Sequence, residues 1–322
     1  MNLRQLAYAF TAIILSISTN AYAQKLSSRP MTIVVPTTPG TSMDFLARLV
    51  ADELKQQWDQ TVVVESKPGA SHTIAIQAVA RAQPDGLTLL SAANTLTTNV
   101  GFFKNIPYDP VNGLTPVIEM ARGSLALAVH PSIPANTVAE FVAHAKRHPG
   151  ELNYASTGVG TPQHLAMELF ALRAGIKMQH VPYPGSAGAV REVVSGIVKV
   201  MFVPSHQAIP LAEGKKIRLL AFSGKARMAQ APDVPTLAES GFAGVEVDSW
   251  YGLLGPAGMP DEITGRLNKF VNALLTTQKF RTALNVQGLL PTGGTPAEFR
   301  QLIAQDVERW KRVVSEAGIE RQ

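Results

Sequence analysis

Cysteine is absent from all 322 residues, which excludes disulfides, thiolate metal sites and a cysteine nucleophile. A chain of this composition must therefore rest on its hydrophobic core. Charge is also sparse: charged residues make up 16%, with 29 Lys and Arg against 24 Asp and Glu and a formal net charge of +5. The basic doublets Lys146-Arg147, Lys215-Lys216 and Lys311-Arg312 are scattered. None forms a basic stripe interleaved with aromatics, so no nucleic-acid partner is expected. Catalytic signatures are missing as well. Tyr183-Pro184-Gly185-Ser186-Ala187-Gly188 has the wrong spacing for a G-x-S-x-G elbow. Gly158-Val159-Gly160 lacks the third glycine of a dinucleotide fingerprint, and no Gly-Lys-Ser/Thr occurs. Seven histidines are spread singly. His144 and His148 stand four apart on a helical stretch, but Lys146 and Arg147 lie between them and no carboxylate pattern accompanies them. Neither metal nor cofactor is expected.

Long apolar runs are also lacking beyond the first residues. Asn2-Leu3-Arg4 is a short positive start, Leu6 to Ile17 is mainly apolar, and Ala21-Tyr22-Ala23 is a small-x-small cleavage site. This pattern predicts a secretory signal peptide over residues 1–23, cleaved near Ala23. No later segment offers the ~20 uninterrupted apolar residues of a membrane span. With no cysteine at the junction there is no thioether lipid, and the mature chain is expected to be soluble in the periplasm.

What the chain does contain is one device used twice. Ile33-Val34-Val35 leads through Pro36-Thr37-Thr38-Pro39-Gly40-Thr41-Ser42 into a helix, and Leu152-Asn153-Tyr154-Ala155 leads through Ser156-Thr157-Gly158-Val159-Gly160-Thr161-Pro162 into another. A helix start offers up to four unpaired N–H groups and about half a positive charge. Glycine permits close approach and hydroxyls add donors, so each turn can hold an anion without lysine or arginine. Ordinary strand-to-helix capping needs no such wealth of hydroxyls. Thr41 with Asp44 three residues later has capping-box spacing, which ties the Asp44 carboxylate to its own helix start.

Strand and helix patterns alternate from Met31 onward. Met31–Val35, Thr61–Glu65 and Leu87–Ala92 read as strands separated by helices over Asp44–Trp58 and Thr73–Ala82. A second α/β series follows Asn136, and the last third reads as helices over Asp261–Leu275, Lys279–Leu284 and Pro296–Glu316. This order predicts an α/β fold of two lobes, each a mostly parallel sheet flanked by helices. The first lobe is expected to be split into residues 24–125 and 252–322 around an inserted lobe of residues 126–251. Leu125–Val129 and Trp250–Leu254 are the expected crossings.

Several ordered motifs resemble a known family. They include Val35-Pro36-Thr37-Thr38-Pro39-Gly40 with Asp44, Lys67-Pro68-Gly69-Ala70, Pro84-Asp85-Gly86-Leu87-Thr88-Leu89-Leu90 and Pro107-Tyr108-Asp109-Pro110. His180-Val181-Pro182-Tyr183, Pro232-Asp233-Val234-Pro235-Thr236 and Gly252-Leu253-Leu254-Gly255-Pro256-Ala257-Gly258 continue the series. Together they resemble the Bug (TctC-type) solute receptors of tripartite tricarboxylate transporters along the whole mature chain. The resemblance implies a two-lobed, type II-like periplasmic binding protein fold with the ligand cleft between the lobes. It also implies hinge closure around a small carboxylate, delivery to membrane permease subunits, a monomeric receptor and no catalysis. Carried over by position, the loops holding the ligand carboxylate are Thr38, Gly40, Thr41 and Ser42 in one lobe and Ser156, Thr157, Gly158 and Thr161 in the other. Asn94 and the loop from Tyr183 to Ser186 line the remainder.

Three departures from the family pattern bear on the ligand. Gly40-Thr41 replaces paired glycines, and Ser71-His72-Thr73 replaces Gly-Gly-Asn, bringing His72 towards the cleft. Val203 and Pro204 follow Met201-Phe202 where an acid is common. Loss of that acid argues against an amino acid ligand. The expected ligand is a mono- or dicarboxylate, and an apolar wall with His72 or His206 nearby suits a compact or aromatic one, such as the dicarboxylate terephthalate, better than a citrate-like acid. Two rival readings are an exported carboxylate-processing enzyme, with His72, His164 and His206 as its only plausible bases, and a sensor that signals to a membrane kinase.

Overall fold

The computed structural model describes residues 25–183, 185–245, 247–316 and Arg321, so the leader expected over residues 1–23 lies outside the described residues. The chain first builds β1 (Met31–Val35), α1 (Ser42–Trp58), β2 (Val62–Ser66), a single 3-10 turn (Ala70–His72), α2 (Thr73–Ala80), β3 (Thr88–Ala93), α3 (Thr95–Phe102) and β4 (Leu114–Gly123). A second unit follows: β5 (Leu125–Val129), α4 (Val138–Arg147), β6 (Asn153–Ser156), α5 (Pro162–Ala174), β7 (Gln179–Pro182), α6 (Ser186–Ser195), β8 (Val200–Pro204), α7 (Ser205–Glu213) and β9 (Arg218–Phe222). The chain ends with β10 (Ser249–Pro256), α8 (Asp261–Thr276), α9 (Gln278–Val286), β11 (Leu289–Pro291) and α10 (Pro296–Glu316).

Two sheets result, with strand orders β11-β4-β10-β3-β1-β2 and β7-β6-β8-β5-β9. β1 pairs in parallel with β2 and β3, and β6 in parallel with β7 and β8. β10 runs antiparallel to β3 and β4, and β5 antiparallel to β8 and β9. The sheets are therefore mixed rather than mostly parallel. Alternating β-α-β patterns fix direction only for strands joined through a helix. β5 and β10 enter their sheets from the other lobe, so their direction escapes that rule.

Strand pairing moves the chain into the second sheet after Ser124 and back into the first at Ser249. Leu125–Val129 and Trp250–Leu254, read from sequence as crossings, are paired strand segments of the second and first sheets. Helix α3 was not legible at all. Thr95-Leu96-Thr97-Thr98-Asn99 is poor helix-forming sequence, yet every residue of α3 is buried and packing supplies what propensity lacks.

α1 shows the more usual logic. Leu46, Ala47, Val50, Leu54 and Trp58 bury one stripe, while Thr41 caps the start, a contribution of about 1 kcal/mol. The core packed on the second sheet also includes Phe102 from α3 and Trp310, Val313 and Val314 from α10. Burying each such side chain contributes roughly 1.5–3 kcal/mol, so the end of the chain is a substantial part of the seam between lobes. The returning chain is pinned beside it. Asp306 accepts from Thr97 Oγ1 at 2.9 Å and Trp250 Nε1 at 2.8 Å.

Candidate ligand-binding site

The first cradle lies between β1 and α1. Thr41 is extended at φ −85°, and its Oγ1 accepts the Asp44 N–H at 3.4 Å and sits 2.6 Å from Thr37 Oγ1. Gly40 adopts φ +88°, a left-handed conformation that favours glycine, although a Cβ there would have no atom within 4 Å. Asp44 accepts the Gly40 N–H at 3.0 Å and the Arg48 guanidinium at 2.9 Å. Burial alone would raise the Asp44 carboxyl, but Arg48 and the Gly40 N–H hold it below the usual carboxylate range. Its charge is thus tied to the helix start. Thr38 and Gly40 are exposed and Ser42 is buried.

Sequence reasoning missed Tyr251. Burial pushes its phenol up, against hydrogen bonds with the side chains of Ser42 and Ser249. Tyr251 opposes Ala93 at the end of β3, which places it under the first cradle. Its only signal in the sequence was its place in an apolar run.

The second cradle lies between β6 and α5. Gly158 and Gly160 have φ +127° and +79°. Thr161, extended at φ −73°, precedes Pro162 at the first helical position, and its hydroxyl donates to the Gly158 carbonyl at 2.7 Å. Thr157 Oγ1 donates to Gln163 Oε1 at 3.1 Å. Ser156 is fully buried and its Oγ accepts the Gly158 N–H at 3.0 Å. In both cradles threonine and serine hydroxyls, those of Thr37, Thr41, Ser156, Thr157 and Thr161, bond within their own turns and hold the backbone shape. The donors left by helix geometry are the main-chain N–H groups of Ser42 and Met43 in α1 and of Gln163 and His164 in α5, since Thr41 takes the Asp44 N–H and Pro162 has none.

Beneath the second cradle two imidazoles stack, with His164 and His180 centroids 4.0 Å apart. His164 Nδ1 accepts the Gly160 N–H at 3.2 Å, and His180 Nε2 lies 2.7 Å from Ser156 Oγ. Burial, then the neighbouring His180, lowers His164 to about 3, and burial lowers His180 to about 4. Tyr154 hydrogen-bonds Glu168 on α5. Burial raises the Glu168 carboxyl despite that bond.

The remaining sequence candidates are placed differently. His72 ends a turn in which Ala70, Ser71 and His72 all have positive φ, at 45°, 48° and 71°. Burial lowers His72 to about 4. The Ser71 carbonyl accepts Asn99 Nδ2 at 2.9 Å, and Thr98 Oγ1 donates to the Gly160 carbonyl at 2.7 Å. Neighbouring residues of α3 therefore join the 70–72 turn to the second cradle. Asn94 uses its side chain on the returning strand, donating to the Asp248 carbonyl and accepting the Trp250 N–H. The Tyr183 N–H donates to the Ser156 carbonyl at 3.0 Å, beside the second cradle. Ser186 donates to Gln207 Oε1 at 2.6 Å. Val203 is 1% exposed and packs inside the second lobe with Ala126, Ala155 and Met201. His206 sits at the start of α7 and is lowered by burial.

Among the described residues no group of three or more His, Cys, Asp or Glu is placed to hold a metal ion, and no helix is long and apolar enough to cross a membrane. His144 and His148 stack at 4.5 Å without a third such group. A concavity of about 590 Å³ between α5 and α10 is lined by Arg173, Arg309, Arg312, Glu308 and Glu316. Arg173 stands about three helical turns from the cradle at the start of α5, and the mixed charges there lack the converging N–H groups of a helix start.

Known proteins share this architecture. Residues 46–319 match the tripartite tricarboxylate transporter family receptor. A UPF0065 protein from the tcbD-tcbE intergenic region of Pseudomonas sp. (strain P51) is 35% identical over 91% of this chain and 89% of the relative. BugT of Bordetella pertussis is 32% identical over 92% of this chain and 91% of its own length. Among solved structures, R. palustris Rpa4515 with adipate superposes with a TM-score of 0.86 at 34% identity, covering 92% of this chain and 99% of that one. MatC from Rhodopseudomonas palustris with bound malate gives 0.81 at 30% identity, covering 89% and 99%. The periplasmic binding protein BugD gives 0.83 at 28% identity, covering 92% and 100%. The mixed two-sheet fold and the matched residues agree: this chain belongs to the tripartite tricarboxylate transporter receptor family, whose members are non-enzymatic periplasmic solute-binding proteins.

Proposed function

We propose that the protein captures a small dicarboxylate between its two cradles and hands it to the membrane permease subunits of a tripartite transporter. Residues 1–23 serve as the export leader, and the mature chain acts as a monomer in the periplasm. The observation that carries this reading is the pair of helix starts, one per lobe. Both are built from glycine and hydroxyl residues, and in each the capping threonine, Thr41 or Thr161, is bonded within its own turn, which leaves first-turn N–H groups for a guest. Two relatives of the same fold hold adipate and malate, each a dianion with a carboxylate for either cradle. An aromatic dicarboxylate such as terephthalate shares that charge arrangement.

Closure turns about the crossings at Ser124 and Asp248, which carry residues 126–251 against residues 24–125 and 252–322. Gly224 fits between the crossings: a Cβ there would lie 3.0 Å from Ser124 Oγ and 3.1 Å from Asp248 Oδ1. Each charge-assisted hydrogen bond to a desolvated carboxylate contributes about 1.5–3 kcal/mol, so four or five give micromolar affinity after the costs of closure. A thermal-shift screen of the mature chain against adipate, malate, terephthalate and citrate tests the reading, because a ligand bound only by the native state raises Tm. At least one dicarboxylate should raise Tm in a concentration-dependent manner. No rise in Tm with any of the dicarboxylates would sink the proposal.

A further inference from the structure

Each glycine of the second cradle donates its N–H to a side chain, Gly160 to His164 directly and Gly158 to Ser156, which in turn meets His180. Gly160 donates its N–H to His164 Nδ1 at 3.2 Å. Gly158 donates to Ser156 Oγ at 3.0 Å, and that oxygen lies 2.7 Å from His180 Nε2. The rings are nearly parallel, 16° apart in plane. Tyr154 stacks on His180 at 4.9 Å, and Phe102 lies against His164 at 5.0 Å. Phe102 comes from α3, so the column Phe102–His164–His180–Tyr154 begins in the first lobe and ends on a strand of the second. Glu168, one helical turn beyond His164 on α5, grips its far end through Tyr154. Ring packing on both sides keeps the imidazoles from rotating, and rotation is what would release the glycines.

We infer that His164 and His180 are the positioning residues of the second cradle, fixing the Gly160 and Gly158 peptides so that the guest meets the first-turn N–H groups of α5. The inference rests on the proposed binding of a carboxylate at that cradle. The chemistry demands an acceptor at His164 Nδ1. A peptide N–H donates to it, so this nitrogen carries no proton and the neutral ring keeps its proton on Nε2. Any residue that presents an acceptor at the same place can substitute, whereas an apolar residue of similar size cannot. Glycine needs this support more than other residues do. At φ +127° and +79° the two peptides are held in a region where local preference supplies no single orientation.

The test compares His164→Leu, which removes the acceptor, with His164→Asn, whose Oδ1 takes the place of Nδ1. Glycine-selective ¹⁵N labelling of the full mature chain, without ligand, follows amide exchange at Gly160, with Gly40 as the internal control. Exchange at Gly160 should accelerate at least tenfold in H164L, return to within threefold of wild type in H164N, and leave Gly40 unchanged. Calorimetric titration with adipate, or with malate or terephthalate if that is the binder, should show a Kd at least tenfold higher in H164L and within threefold of wild type in H164N. Unchanged Gly160 exchange in H164L, or equal damage in both variants, would overturn the inference and leave the rings as packing alone. If wild type binds none of the three acids, the proposed ligand class fails, while the exchange arm still decides whether His164 holds the glycine. Should H164L not fold, His164→Gln replaces it, because its acceptor lies one bond farther out and Gly160 should exchange faster than in H164N.

Discussion

The two cradles reach similar shapes by different means. In the first, the loop itself is held locally: Thr37 to Thr41 and Gly40 to Asp44 span four residues each, while longer links reach the start of α1 from Tyr251 to Ser42 and from Ser91 to the Met43 carbonyl. A carboxylate and its arginine partner stabilise that helix start from outside, at 52% side-chain exposure for Arg48. The second cradle has no such ion pair. It is held by His180, 24 residues beyond Ser156, and by Thr98, 62 residues before Gly160. The first cradle can thus be assembled from a capping motif, and the second only when a neighbouring strand and a helix of the opposite sheet's unit are in place. The second should depend more on the integrity of the whole fold, and on pH.

Acid should give the largest effect and strike the second cradle first. His164 is 6% exposed and lowered to about 3, against an ordinary value near 6.5. Its folded form therefore binds fewer protons than the unfolded chain once pH falls below 6.5, and stability drops as pH declines towards about 3. The linkage slope is about 1.4 kcal/mol per pH unit, or roughly 2 kcal/mol from His164 alone at pH 5. His180 and His72, both lowered to about 4, act in the same direction. Glu168, raised by burial, acts in the opposite one. Urea unfolding at pH 7 and pH 5 should show this loss, with a smaller one in H164N. Equal stability at the two pH values would remove the contrast between the cradles.

The double variant Thr41→Val, Thr161→Val tests what the cradles share. Each loses the hydroxyl that shapes its loop, so affinity for the dicarboxylate identified by thermal shift should fall at least tenfold, with far-ultraviolet circular dichroism unchanged. Affinity within twofold of wild type would deny both threonines a part in binding. Taken singly, Thr41→Val should also lower stability by about 1 kcal/mol through loss of the cap to Asp44.

A smaller effect is expected between the cradles, at the 70–72 turn. Ser71 is left-handed at φ 48°, ψ 49°, a conformation that costs a non-glycine residue about 1 kcal/mol. Ser71→Gly should raise unfolding stability by up to that amount without changing affinity, since the Ser71 carbonyl still accepts from Asn99. A loss of stability would mean that the serine side chain contributes something its backbone does not show.

Much of this was legible in the sequence, for identifiable reasons. β1 and α10 have the bounds that their patterns predicted, because alternating burial, capping residues and a helical stripe are all local. The two Gly-Thr turns were recognisable because the residue types that cap helices are also the ones that expose N–H groups. Asn94 and Val203 show where the reading ran out. Their positions beside the loops were plain, but the returning strand that occupies the Asn94 amide and the core that encloses Val203 come from distant segments. His180 and Tyr251 likewise had no local signature, since a half-buried histidine or tyrosine looks the same in sequence whether it supports a site or only fills a core.

By itself, the sequence determined the α/β order, the family, the leader pattern and the two helix starts. Each follows from residues within a turn or two of one another, where propensity and capping chemistry act. Strand direction at the crossings, burial of the weak helix α3, and the imidazole pair behind Gly158 and Gly160 were decided only by the tertiary structure. Those features depend on which distant groups exclude water from one another, and a linear pattern carries no record of that.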